Sequence, residues 1–199
     1  MTITRVGVVG SGPLGQAFAH ALGKVGVMAV IGAVGPEKPI SAAIADRLSI
    51  ATAASLRRAA EEDVVFLSVP WNELGETLAL IADWESRILI DATNAILPGS
   101  EIADLGEKTS SEIVSGLSPG AQLVKAFNTL PPETLAEPSQ TGGARVVFLS
   151  GDHVRAKVEV GRLIARLGFA GIDLGSLSSG GRLYQFPDGP LWGQHLVRL

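Results

Sequence analysis

Arg5-Val6-Gly7-Val8-Val9-Gly10-Ser11-Gly12-Pro13-Leu14-Gly15 is a short apolar run that empties into Gly-x-Gly-x-x-Gly. A strand, a glycine loop and a helix in that order hold the pyrophosphate of a dinucleotide on main-chain amides. Gly10 permits the tight turn, Gly12 has no Cβ to hold phosphates away, and Gly15 lets the helix lie close on the strand. The helix start offers unpaired N–H groups and a positive dipole end to an anion. Pro13 fits the first helical position, where a missing N–H costs little, leaving Leu14 and Gly15 as donors.

The following residues support that reading. Leu14, Phe18, Ala21, Leu22 and Val25 recur on one helical face, and Gly23 and Gly26 loosen and end it. Val27 to Gly32 reads as a second strand and 35–39 as a turn. A short helix is predicted over 41–47, a third strand over 49–52 and a helix over 54–62. Asp63 to Val69 is a strong strand that Pro70 ends, and a helix begins at Trp71-Asn72-Glu73, with Leu74, Leu78, Ile81 and Ala82 on one face. Arg87 to Ile90 closes at Asp91, Ser110-Ser111-Glu112 starts a helix, and Gln122 to Phe127 is a strand. A strand over 145–149, a helix over 154–167 and a strand over 169–174 follow. Such alternation implies an α/β fold, a Rossmann-type doubly wound parallel sheet. We expect a dinucleotide-binding core over 1–130 and a small C-terminal α/β lobe with an apolar tail over 131–199, packed on the same unit.

The 199 residues suffice for a core that buries roughly 70% of the unfolded surface. With no cysteine, thiol catalysis, disulfides and thiolate metal sites are excluded, and His20, His153 and His195 have no metal-ligand spacing, so no metal is expected. A net charge of −4 argues against a general nucleic-acid surface. No apolar run is long enough to span a membrane and the amino end lacks a signal-peptide layout, which makes a cytoplasmic protein the expectation.

Ligands of such sheets sit at the carboxyl ends of the strands. Val69, Pro70 and Trp71 there line the approach of the adenosine and the nicotinamide ribose, or simply terminate a strand. Asp91-Ala92-Thr93-Asn94 is either a plain turn or a source of bonds to ribose or carboxamide, through Thr93 and Asn94. Phe127 and Asn128 end the sixth strand, and the Asn128 amide both donates and accepts, which suits a carboxamide. Lys125 reads as a strand-edge charge rather than a catalytic base. Cofactor choice is set after the second strand, where an acidic residue selects NAD and an arginine NADP. Ala33-Val34 is neither, so only Ser11 and Lys38 are near candidates for a 2′-phosphate.

The glycine loop, Val69-Pro70-Trp71, Asp91-Ala92-Thr93-Asn94, Lys125-Ala126-Phe127-Asn128-Thr129 and Gly180-Gly181-Arg182-Leu183 together resemble the NADP-dependent oxidoreductases of the coenzyme F420 (deazaflavin) family, nearly end to end. The resemblance implies hydride transfer between a nicotinamide dinucleotide and a deazaflavin stacked face to face, with positioning carrying most of the rate and no acid–base residue required. A reductase domain of membrane ferric reductases is similar and implies a flavin as the alternative acceptor. The family carries Gly-Ser-Arg or Gly-Thr-Arg after the second strand, where this chain has Ala33 and Val34. Losing a bidentate arginine weakens a phosphate bond by roughly 1.5–3 kcal/mol. Val34→Arg is accordingly expected to tighten NADPH by about ten-fold and leave NADH unchanged, as titration with each cofactor would show.

Two other readings compete. A non-catalytic dinucleotide-binding redox sensor is favoured by the lost polar pair. A small hydroxyacid or imino-acid reductase shares the loop but needs a long helical C-terminal domain. Phe186, Leu191, Trp192, Leu196 and Val197 in the tail form a strap over the sheet, a roof on a second-substrate pocket, or a homodimer contact.

Overall fold

A computed structural model describes residues 3–33, 51–81, 83–138 and 142–199. The predicted turn at 35–39, the helix at 41–47, and Val34 and Lys38 lie outside them. The first strand, β1 (Arg5–Val9), runs into helix α1 (Pro13–Lys24) and then β2 (Met28–Ala33). After the gap come β3 (Ala51–Ser55), α2 (Leu56–Ala60), β4 (Val64–Leu67), a 3-10 turn at Trp71–Glu73, α3 (Leu74–Ala79) and β5 (Ile88–Asp91). The remainder is α4 (Ser110–Leu117), β6 (Gln122–Ala126), α5 (Pro132–Ala136), β7 (Ala144–Gly151), α6 (Val154–Arg166), β8 (Ala170–Asp173), α7 (Gly180–Leu183) and β9 (Val197–Arg198).

The strands form one sheet in the order β3-β2-β1-β4-β5-β6-β7-β8, with β9 added against β7. From β3 to β6 every pairing is parallel. The order reverses between β1 and β4, the doubly wound arrangement that opens a crevice at that point. Both faces of the sheet are covered, so neighbouring strand residues enter opposite cores. Val8, Phe66 and Ile90 pack with Phe18, Leu22, Val160 and Ile164 on one side. Val9, Leu67 and Leu89 pack with Leu56, Leu74 and Val114 on the other. The buried face of α1 includes Phe18, Ala21 and Leu22, as its spacing predicted, and Phe18 stacks on Phe66 with ring centroids 3.8 Å apart.

Two expectations change. The third strand runs over Ala51–Ser55, and the next helix starts at Leu56 rather than at 54. Ser55 sets that boundary, because its hydroxyl accepts from Arg58 N and caps the helix. The sheet is also not parallel throughout, since β7 runs antiparallel to β6. The chain leaving β6 never crosses back to the amino end of that strand, as a parallel pairing would require. It re-enters at the carboxyl end, and β8 then pairs parallel to β7, so residues 144–173 extend the same sheet.

Candidate active site at the strand ends

Register builds the site. Val9 is level with Leu67, Leu67 with Asp91, and Asp91 with Lys125. The segments that follow β1, β4, β5 and β6 therefore leave one edge of the sheet side by side. They carry Gly10–Gly15, Val69–Trp71, Thr93–Asn94 and Asn128 together, as predicted. Ala33 ends the neighbouring β2.

The glycine loop divides by function. Gly10 has φ +112°, and a Cβ there would lie 2.4 Å from Ser68 O. A Cβ on Gly15 would lie 2.1 Å from Gly10 O, so this glycine is needed for the approach of α1 to the turn. Gly12 is different: φ is −68°, and a Cβ would meet no atom of the described residues within 4 Å. Among the described residues nothing requires that glycine for packing. It caps α1 without a side-chain bond to the helix, and Pro13 is the first helical residue. The amides of Leu14 and Gly15 thus face an open cradle without an intrahelical acceptor. Gln16 steadies the loop through Nε2 to Ser11 O at 2.7 Å. Beside it, the Ser68 hydroxyl is buried and has no partner among the described residues. An uncapped helix start, room where a Cβ would go and a spare hydroxyl fit a diphosphate.

At the other end, Asn94 and Asn128 clasp each other. Asn94 Nδ2 donates to Asn128 O at 3.0 Å, and Asn128 Nδ2 donates to Asn94 Oδ1 at 3.2 Å and to Tyr184 O at 3.1 Å. Val69 is buried, Pro70 exposed, and Trp71 lies partly buried against the α3 side of the core.

Three of these side chains are enclosed. Phe127 has a left-handed backbone, φ +67°, that turns its ring into the core, 5.3 Å from Phe18 and 5.9 Å from Phe66 by centroid. The residue is 1% exposed. The Thr93 hydroxyl is spent on Asp91 Oδ1 at 2.6 Å, which leaves the Thr93 side chain facing inward. Lys125 is no strand-edge charge: its side chain is 0% exposed, with Nζ 3.5 Å from the equally enclosed Asp91 Oδ2.

That pair sits in a polar network the linear pattern did not reveal. Asp91 Oδ1 also accepts from Thr93 N at 2.9 Å, and Oδ2 accepts from the Ser111 hydroxyl. Lys125 Nζ donates to Thr93 O at 3.3 Å and Ser110 Oγ at 3.2 Å. The Tyr184 hydroxyl donates to Lys125 O at 2.8 Å, and Ser150 Oγ lies 2.8 Å from it. Gln185 Oε1 accepts from Ser110 N at 2.7 Å. The one available signal was a lysine inside the apolar run Leu123-Val124-Lys125-Ala126-Phe127, since a charge in a buried strand demands a partner.

Burial pushes the Tyr184 hydroxyl far above its ordinary range, with nearby Asp91 adding to the rise against the opposing Ser150 bond. The folded protein keeps a proton that the unfolded chain releases near pH ~10. Above that pH the unfolded state binds fewer protons, so stability present below it is lost as pH rises. Denaturant titrations at increasing pH should show this decline, and Tyr184→Phe should remove the tyrosine contribution to it.

Among the described residues no helix is long and apolar enough to cross a membrane, and no group of three or more His, Cys, Asp or Glu could hold a metal ion.

Comparison with known proteins agrees with this geometry. The family described as NADP oxidoreductase coenzyme F420-dependent matches residues 5–95. The F420-dependent NADP reductase of Methanothermobacter thermautotrophicus is 31% identical over 195 residues, covering 90% of this chain and 83% of that protein. Metalloreductase STEAP3 of Rattus norvegicus is 26% identical over 183 residues, 92% of this chain but 36% of that protein. The chain thus spans about a third of the length of the metalloreductases it matches. The crystal structure of SMa0349, a hypothetical protein from Sinorhizobium meliloti, superposes with a TM-score of 0.90 at 39% identity, covering 100% of this chain and 97% of that one. With its glycine cradle, its strand order and a relative alike over most of both lengths, the chain belongs to the coenzyme F420-dependent NADP oxidoreductase family.

Proposed function

We propose that the chain transfers a hydride between NADPH and a deazaflavin of the coenzyme F420 type. The open cradle at Gly12 carries this reading, because a glycine that nothing among the described residues requires for packing is what a diphosphate needs. In this account the Leu14 and Gly15 amides bind the bridging phosphates at the α1 amino end. Val69, Pro70 and Trp71 line the middle of the crevice, and the Asn94–Asn128 clasp marks its nicotinamide end. When bound, the nicotinamide supplies the hydride, and the acceptor ring takes it together with a proton from water. The protein's task is to hold two flat rings in contact, so most of the acceleration comes from orientation.

The resemblance to the reductase domain of membrane ferric reductases makes a flavin the second acceptor to test. The decisive assay follows NADPH absorbance with deazaflavin, with flavin and with neither. Oxidation that depends on the deazaflavin supports the proposal, and flavin-only turnover moves the acceptor to the second reading. Tight NADPH binding without turnover on either acceptor would instead describe a nucleotide sensor.

A further inference from the structure

Asp91 and Lys125 have no part in the hydride-transfer reading, yet they are the most enclosed charged side chains among the described residues. Burying such a pair carries a large desolvation penalty before attraction is counted, and apolar replacements of similar volume are often as stable. Stability alone is a weak reason to keep it, and its geometry supplies a better one. Asp91 takes both the amide and the hydroxyl of Thr93, while Lys125 takes the Thr93 carbonyl. The Thr93 peptide groups are therefore gripped from both sides, which sets the direction of Asn94.

Asn94 in turn fixes Asn128. Because Asn94 Nδ2 donates to Asn128 O, Asn94 must present its oxygen to Asn128 Nδ2, which also donates to Tyr184 O. Turning the Asn128 amide over would set two carbonyls against each other and lose both bonds. Asn128 is consequently locked, only 4% exposed, with Oδ1 buried and lacking a donor among the described residues. A fixed acceptor without a donor beside the nicotinamide end of the crevice matches a ligand amide better than it matches the protein around it.

We infer that Asp91 and Lys125 are positioning residues that hold the Thr93–Asn94 turn, and through it Asn128, in the arrangement that receives the nicotinamide half of the dinucleotide. This rests on the dinucleotide reading above. It predicts that disturbing the pair affects one half of the ligand and spares the other.

The test compares NADPH with 2′-phospho-ADP-ribose, which lacks the nicotinamide, by calorimetric titration of the full chain. The variants are Lys125→Met and the doubly neutral Lys125→Met/Asp91→Asn, the second serving if the first does not fold. Expected are an NADPH affinity lowered by about ten-fold or more and a truncated-ligand affinity within about two-fold of wild type. The rate of hydride transfer at saturating NADPH should fall as well, a change that loss of folded protein would not produce after correction for active sites. If both ligands weaken in parallel, or neither does, the pair is a stabilising device and the inference fails. Wild-type protein that binds neither ligand would overturn the dinucleotide reading itself, a result distinguishable from the others.

Discussion

Gly12→Val is expected to weaken NADPH binding by at least about 100-fold while leaving the thermal midpoint close to that of the wild type. The two halves of this statement have separate causes. A valine side chain would occupy the space through which a diphosphate reaches the Leu14 and Gly15 amides. The same space contains no atom of the described residues within 4 Å of the new Cβ, and φ of −68° is open to any residue, so the described fold tolerates the change. Gly15→Ala is the contrasting control. Its Cβ would fall 2.1 Å from Gly10 O, which forces α1 away from the turn and lowers the midpoint directly. Calorimetric titration beside thermal unfolding separates the two variants. Undiminished NADPH affinity in Gly12→Val would remove the cradle from the mechanism.

The second large effect concerns stability. Asp91→Ala removes the acceptor for the Thr93 amide, the Thr93 hydroxyl and the Ser111 hydroxyl, and strands the Lys125 ammonium in the core. Losing one partner of a buried ion pair costs about 3–5 kcal/mol. For a chain of this length that lowers the midpoint by roughly 10 °C. Asp91→Asn should cost less because one oxygen acceptor stays in place. Adding Lys125→Met to Asp91→Asn should recover part of the loss, since the unpaired charge goes with it. Chemical denaturation of wild type, Asp91→Asn, Lys125→Met and the double variant completes the cycle. A strictly additive result would mean that the two side chains do not interact.

Periodicity and glycine placement gave away much of this architecture. Val8 and Val9 could face opposite cores only in a sheet covered on both sides, and the repeat from Leu14 to Val25 has one helical solution. The motif loops were legible too, because parallel strands send all their carboxyl ends to one edge. What stayed hidden depends on contacts between distant segments. Nothing around Lys125 states that Asp91 stands beside it in the next strand, since register is decided by the whole sheet. The antiparallel direction of β7 against β6 is likewise a matter of register across the sheet, not of the composition of β7. The inward turn of Phe127 stayed hidden as well. A left-handed φ at a bulky residue is a local exception that spacing cannot announce.

Tyr184 is the only tyrosine in the chain, and it is wedged where β6, β7 and the C-terminal segment meet. The molecule therefore carries one phenolic chromophore at that seam. Its ultraviolet ionisation spectrum can follow the seam opening separately from the three tryptophans, with no label to attach.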